Sequence, residues 1–167
     1  MDKLRALIAV FLTTASFMIL AAPATAAETS PIQYFSTKIN VTDLDRSIAF
    51  YSTFVGLTEA ARSAGTSPVV EVLMTKSGAK GAATEPAVVL AWQRARKEPL
   101  VLGNAFNNIT FVVTDIKATV KALEAAGYKI TGSPEPRPSP TPAAKQIAVV
   151  FTKDPDGYSI ELLQRFQ

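Results

Sequence analysis

The chain has no cysteine and no histidine among its 167 residues. Lacking cysteine, it has no disulfides and no thiol chemistry, so packing alone must hold the fold. Lacking histidine, it has no imidazole, a favoured ligand of transition metals and the side chain that titrates nearest neutral pH. Charge of either sign is sparse: 17 Lys and Arg stand against 14 Asp and Glu, for a net +3. No basic run appears, which argues against a nucleic-acid partner.

The first 26 residues read as an address rather than as structure. Lys3 and Arg5 precede an apolar run from Ala6 to Ala22, and Ala24-Thr25-Ala26 supplies small residues at cleavage spacing. This is the layout of a secretory signal peptide, with Ala27 as the mature N-terminus. The competing reading is an uncleaved membrane anchor, which the small-residue site disfavours. That anchor would be the chain's one route to a membrane. No cysteine follows, which argues against a lipid-anchored form. The expected location is periplasmic or extracellular. Losing Asp2, Lys3 and Arg5 lowers the net charge from +3 to +2. Residues 27–32 read as a flexible lead, and the remainder is long enough for one domain with a real core.

An internal repeat sets the fold. Val41-Thr42-Asp43-Leu44 recurs as Val113-Thr114-Asp115-Ile116, an offset of 72, and the helical runs that follow close on Gly56-Leu57 and Gly127-Tyr128. Residues 33–41 alternate as a strand, with Phe35, Thr37, Ile39 and Val41 on one side. Thr42-Asp43 caps a helix whose stripe is Leu44, Ile48, Tyr51 and Val55, and Gly56 ends it. Val69–Thr75 and Ala87–Gln93 are further strands, separated by a turn-forming stretch over 77–86. The second half repeats the plan: a strand over 107–113, a helix capped by Asp115, and a short strand over 128–131. A proline-rich loop over 132–144 follows, which reads as a lid, a docking strip or surface filler. A strand over 147–152, the turn Asp154-Pro155-Asp156-Gly157 and a closing strand over 158–165 complete the half.

The expected fold is α+β: two tandem βαβββ modules forming a curved mixed sheet around a cleft, with helices on the outer face. Module one spans 33–96, a linker 97–102, and module two 103–167. The faces away from the helices carry Ser36, Lys38, Asn40, Asn108, Thr110, Ser159 and Glu161. A concentration of polar residues there points to a ligand cleft rather than a filled core. Trp92, at the end of its strand near that cleft, reads either as a stacking surface or as a half-buried structural residue; Arg94, Arg96 and Lys97 read as a solvated linker, with cations at the cleft's mouth as the alternative.

Three segments carry a family resemblance: Asn40 through Tyr51, Gly103 through Ile109, and Asp154 through Leu162. With them the chain resembles the vicinal oxygen chelate superfamily, which includes glyoxalase I, the bleomycin-resistance proteins, extradiol dioxygenases and methylmalonyl-CoA epimerase. The resemblance covers about residues 33–167, and the central stretch is most similar to glyoxalase I. It implies four metal ligands, one per equivalent strand, falling on Ser36, a residue within one of Leu90, Asn108 and Glu161. Only Glu161 is a ligand of the usual kind. One carboxylate with two neutral oxygens is a poor site for Zn²⁺, Ni²⁺ or Fe²⁺, and a hard cation would need more carboxylates or retained waters. No cofactor is therefore expected, a divalent metal being the disfavoured alternative.

What replaces the metal is open at this level. In one reading Glu161 is a general base, Lys38 an electrostatic clamp paired with it across the cleft, and Ser36 and Asn108 orient a carbonyl. Asn40, Thr110 and Trp92 complete the ligand contacts. In the plainer reading Lys38 reaches the rim, and Glu161 is a remnant hydrogen-bonded to Asn108 and Ser36. The corresponding functions are a metal-independent lyase, isomerase or epimerase, a drug-sequestering protein of bleomycin-resistance type, or a non-catalytic accessory domain. The partner in the first two is a small carbonyl-containing or aromatic molecule. The resemblance also implies a cleft built from two modules, within one chain or across a swapped homodimer.

Overall fold

A computed structural model describes residues 34–80 and 85–167; the expected signal peptide and flexible lead lie outside the described residues. The first half runs β1 (Ser36–Val41), α1 (Leu44–Val55), β2 (Thr58–Arg62), β3 (Val69–Thr75) and β4 (Ala87–Gln93). The second runs β5 (Ile109–Val112), α2 (Ile116–Ala125), β6 (Thr131–Pro138), β7 (Gln146–Lys153) and β8 (Ser159–Phe166). The two βαβββ modules form two four-stranded mixed sheets, ordered β1-β4-β3-β2 and β5-β8-β7-β6. In each, the first strand lies parallel to the last and the remaining pairs are antiparallel. No described helix is long and apolar enough to cross a membrane.

Local chemistry explains both helices. Asp43 and Asp115 are extended N-caps whose carboxylates accept the amides of Arg46 and Ala118. Each satisfies one otherwise orphaned donor of the first turn. Gly56, at φ 76°, ends α1 in the left-handed conformation that glycine adopts without strain.

Alternation then divides each strand between two faces. Ile39 and Val41, Val70 and Val72, Val88 and Leu90, Ala148 and Val150, and Ile160 and Leu162 point toward the helices and are buried. They join Leu44, Phe50, Tyr51, Ile116, Val120 and Leu123 in one core. Each large apolar side chain buried there contributes about 1.5–3 kcal/mol. The core does not respect the module boundary. Tyr51 of α1 stacks edge-on against Phe111 of β5 at 6.1 Å, and Phe50 meets Tyr128 at 5.1 Å.

The aspartate-rich turn before β8 fastens the modules together. Asp154 accepts the amides of Asp156 and Tyr158 through Oδ1 and the Tyr51 hydroxyl through Oδ2 at 2.9 Å. The Asp156 carboxylate accepts the Thr42 amide and hydroxyl, Arg46 and the Ser47 hydroxyl. The turn thus grips the start of α1, over a hundred residues away in sequence.

Two strands depart from expectation. The βαβββ plan requires a strand between α1 and β3, but its position is not legible in the sequence, because Thr58–Arg62 shows little β-branched or aromatic enrichment; pairing with β3 makes it a strand. The other departure lies in the proline-rich segment. The expected short strand over 128–131 instead starts at Thr131, and β6 continues through Pro138. It pairs only with β7, so its outer edge needs no amide donors and tolerates proline. Its register shifts between Ser133 and Arg137.

Candidate functional site

The helices cover one face of each sheet. On the opposite face of the first sheet β4 is still buried, at Ala87, Val89 and Ala91, whereas the opposite face of the second sheet exposes Phe151 and Val112 and is the better organised. Strand pairing sets its residues in rows. Thr110, Glu161 and Phe151 form one row across β5, β8 and β7. Val112, Leu163 and Val149 form the next, and Arg165, Ile147 and Arg137 the row beyond. Phe151 is 39% exposed and Val112 60% exposed, so large apolar side chains meet solvent beside the carboxylate.

Glu161 is held by two donors. The Asn108 amide nitrogen lies 2.8 Å from Oε2 and the Thr110 hydroxyl 3.2 Å from the same atom. Asn108 Nδ2 also reaches Thr110 Oγ1 at 2.9 Å, which closes a small triangle. Oε1 has no hydrogen-bond partner among the described residues. The arrangement fixes the carboxylate's orientation through one oxygen and leaves the other for a ligand. A cavity of about 500 Å³ opens beside it. Its walls are the open faces of β7 and β8 and the proline-rich segment, including Ser139, Pro140 and Ala144.

The first sheet carries the other predicted residues. Lys38 does not meet Glu161: its ammonium donates to Glu71 Oε1 at 2.7 Å, on the same face of its own sheet, two strands away. Sequence reasoning passed over Glu71, though its parity with Val69 and Leu73 on β3 was readable. Ser36 and Asn40 share this face with Lys38, opposite Ala87 and Ala91. Leu90 pairs with Ile39 and points into the core; Val89, opposite Lys38 on the face away from the helices, is the residue matching Glu161 and is itself buried. The expected position was therefore one residue off, within its stated range.

Trp92 takes the structural of its two readings, half-buried against the core. By parity with Leu90 it lies on the helix side of β4, where it lines two cavities away from Glu161. The Arg94 guanidinium sits 5.6 Å from its ring centroid, while Arg96 and Lys97 line the smaller of the two cavities. The structure thus unites Asn108, Thr110 and Glu161 but places Ser36, Lys38, Asn40 and Trp92 elsewhere. Both sheets turn their inner faces to the shared core, so their open faces point away from it.

The four positions matched to family ligands offer a hydroxyl, an alkyl chain, an amide and one carboxylate. No group of three or more acidic, histidine or cysteine side chains suited to a metal occurs among the described residues.

The strongest electrostatic perturbation lies behind the site, in the turn preceding β8. Burial pushes the Asp154 carboxyl above its ordinary range, and the Tyr51 and backbone hydrogen bonds pull it back down. Tyr51 is raised far above a normal phenol, first by burial and then by the Asp154 charge, so it serves Asp154 as a fixed donor.

Comparison with known proteins agrees with this architecture. Residues 32–162 match the family model described as Glyoxalase/Bleomycin resistance protein/Dioxygenase superfamily. A "Probable lactoylglutathione lyase" of Vibrio cholerae is 33% identical over 131 residues, covering 78% of this chain and 89% of that protein. The "Lactoylglutathione lyase" of Haemophilus influenzae is 30% identical over 135 residues, covering 80% and 93%. Among solved structures, glyoxalase I of Leishmania major superposes with a TM-score of 0.62 at 24% identity, over 80% of this chain and 86% of that one. The fosfomycin resistance protein FosX of Listeria monocytogenes, solved with Mn(II) and sulfate, gives 0.53 at 16% identity, over 81% and 93%. At that identity the two structures speak for the fold alone. The chain belongs to the glyoxalase/bleomycin resistance protein/dioxygenase superfamily.

Proposed function

We propose that this chain is an exported, metal-independent member of its superfamily, which binds a small carbonyl-containing or aromatic ligand against its second sheet and removes a proton beside the carbonyl. The observation that carries the reading is Glu161, held through Oε2 by Asn108 and Thr110 with Oε1 free. A carboxylate fixed on one side and open on the other has the geometry of a general base. One carboxylate, one amide and one hydroxyl do not fit a transition-metal ion, so no step is routed through one. Export rests on the signal-like opening segment of the sequence.

Lys38 enters this reading through a second copy of the chain. Both open faces turn from the shared core, so pairing the first sheet of one copy with the second sheet of another would cover Glu161 and the exposed Phe151. Lys38, Ser36 and Asn40 would then approach the ligand, and Lys38 would stabilise enolate charge. The apolar surroundings of Glu161 also favour a second function, sequestration of an aromatic drug without turnover.

The test is solvent deuterium exchange at the carbon beside the carbonyl, followed by NMR across a panel of 2-oxoaldehydes and 2-oxoacids. The protein is residues 27–167 without a histidine tag, and elemental mass spectrometry is run on the same preparation. Exchange that Glu161→Gln abolishes, in protein free of metal, is the expected outcome. Exchange unchanged in that variant removes Glu161 from the base role. About one equivalent of transition metal, lost in Glu161→Ala, overturns metal independence.

A further inference from the structure

The row of the open face farthest from Asn108 carries the clearest unused chemistry. Arg137 on β6 pairs with Ile147 on β7, which pairs with Arg165 on β8. Both arginines line the same cavity as Glu161, and neither forms an ion pair or side-chain hydrogen bond among the described residues. Elsewhere on the second sheet's side, Glu135 is taken by Lys117 at 2.8 Å. Glu161 is the one acid lining the cavity. Between the arginine row and Glu161 lie Ile147, Val149 and Leu163, all apolar and half-buried. Ser139 and Thr141 add hydroxyls to the cationic end.

Two guanidiniums at one end, an apolar floor and a lone carboxylate at the other describe a ligand in outline. Glu161 and Arg165 are four residues apart on one strand, which spans about 13 Å at the usual rise per residue. We infer that this cavity selects an elongated amphipathic anion, its carboxylate or equivalent oxyanion held by Arg137 and Arg165, its apolar body on Ile147, Val149 and Leu163, and its reacting carbonyl end at Glu161. The inference rests on the proposed role of the Glu161 site and narrows its substrate class. Planar guanidiniums suit carboxylate, phosphate and sulfonate oxygens alike. The apolar floor rejects a compact, fully hydrated anion, because such a ligand leaves Ile147, Val149 and Leu163 in water. The like charge of Glu161 repels a second anionic group at the far end, which favours a monoanion with a neutral carbonyl.

The experiment compares decanoate with decanamide by isothermal titration calorimetry against residues 27–167, in the wild type and in Arg137→Gln/Arg165→Gln. The two probes share a chain and differ in charge. Decanoate is expected to bind about tenfold tighter than decanamide in the wild type, a modest margin because the arginines are solvent-exposed. The double substitution is expected to erase that margin while leaving decanamide binding in place, which also shows that the variant is folded. Equal binding of the two probes by the wild type overturns the inference. So does a decanoate advantage that survives both substitutions, or failure of either probe to bind. Because calorimetry reads equilibrium binding alone, these outcomes are independent of the deuterium-exchange test. Loss of exchange in Glu161→Gln, together with a decanoate advantage that survives Arg137→Gln/Arg165→Gln, would sink the anion site and keep the base.

Discussion

Replacing Tyr51 with phenylalanine removes one oxygen from the most buried side-chain hydrogen bond among the described residues. Tyr51 is 0% exposed and Asp154 4% exposed. The hydroxyl donates to Asp154 Oδ2 at 2.9 Å, and no other described donor reaches that oxygen. The aromatic ring stays, so its packing against Phe50 and Phe111 is kept. The change therefore isolates a hydrogen bond to a buried carboxylate, a class worth about 1.5–3 kcal/mol. Taking about 2 kcal/mol, the melting temperature should fall by roughly 4–8 °C for a domain of this size. Urea unfolding followed by Trp92 fluorescence measures it directly, with an unchanged slope expected because the exposed surface on unfolding is the same.

The pH dependence makes this test sharper. Burial already raises the Asp154 carboxyl, and the Tyr51 bond is one of the forces holding it down. An acid with a raised folded-state pKa contributes stability that is present below its unfolded pKa and lost as pH rises through its folded pKa. Tyr51→Phe lets the carboxyl rise further, so the variant's deficit should grow as pH rises through that range. It should shrink in acid, where a protonated Asp154 no longer needs the donor. Asp154→Asn is the control: its amide oxygen can still accept from the Asp156 and Tyr158 amides, and with no charge to bury it should flatten the acid-range slope. A deficit of the same size at every pH, or none at neutral pH, would refute the coupling.

Other substitutions probe the supports of the site. Gly132→Ala places a Cβ 2.7 Å from the Val149 carbonyl oxygen at φ +92°, where backbone must give way. It should cost at least about 1–2 kcal/mol and loosen β6, read as faster proteolysis near Thr131–Pro138 and a lower melting temperature. Asp156→Ala strips the Thr42, Arg46 and Ser47 hydrogen bonds from the start of α1. A loss of about 2–3 kcal/mol by urea unfolding is expected, since this carboxylate is almost fully covered. Glu161→Gln should leave stability within about 0.5 kcal/mol of wild type, because an amide oxygen can replace Oε2 as acceptor for Asn108 and Thr110. Loss of deuterium exchange in that variant then reports chemistry rather than unfolding.

The sequence exposed what is local and periodic. Asp43, Asp115 and Gly56 announced both helices, because caps are set within a few residues. The repeat of 72 residues brought out two equivalent modules, and parity placed Asn108, Thr110 and Glu161 on one face, where they share hydrogen bonds. Features that depend on a distant partner stayed hidden. β2 becomes a strand through pairing with β3 rather than through its own propensity. β6 survives its prolines because it lies at a sheet edge. The grip of Asp154 and Asp156 on α1 joins positions over a hundred residues apart, and nothing local predicts it.

The separation of Lys38 from Glu161 within one chain has a different origin. Parity correctly put Lys38 and Glu161 on open faces, but parity says nothing about which open faces meet. That choice belongs to the core. Tyr51 and Phe50 of α1 pack on Phe111 and Tyr128 of the other module, which joins the two modules through their helical sides. Such packing buries the apolar halves of both sheets and turns the polar halves outward, so Lys38 takes Glu71 as its near partner and Glu161 keeps Asn108 and Thr110. The exposed Val112 and Phe151 beside Glu161 follow from the same geometry. Under the proposed function, an amphipathic ligand or a second copy of the chain would cover this face, where a positioned carboxylate stands beside uncovered aromatic surface.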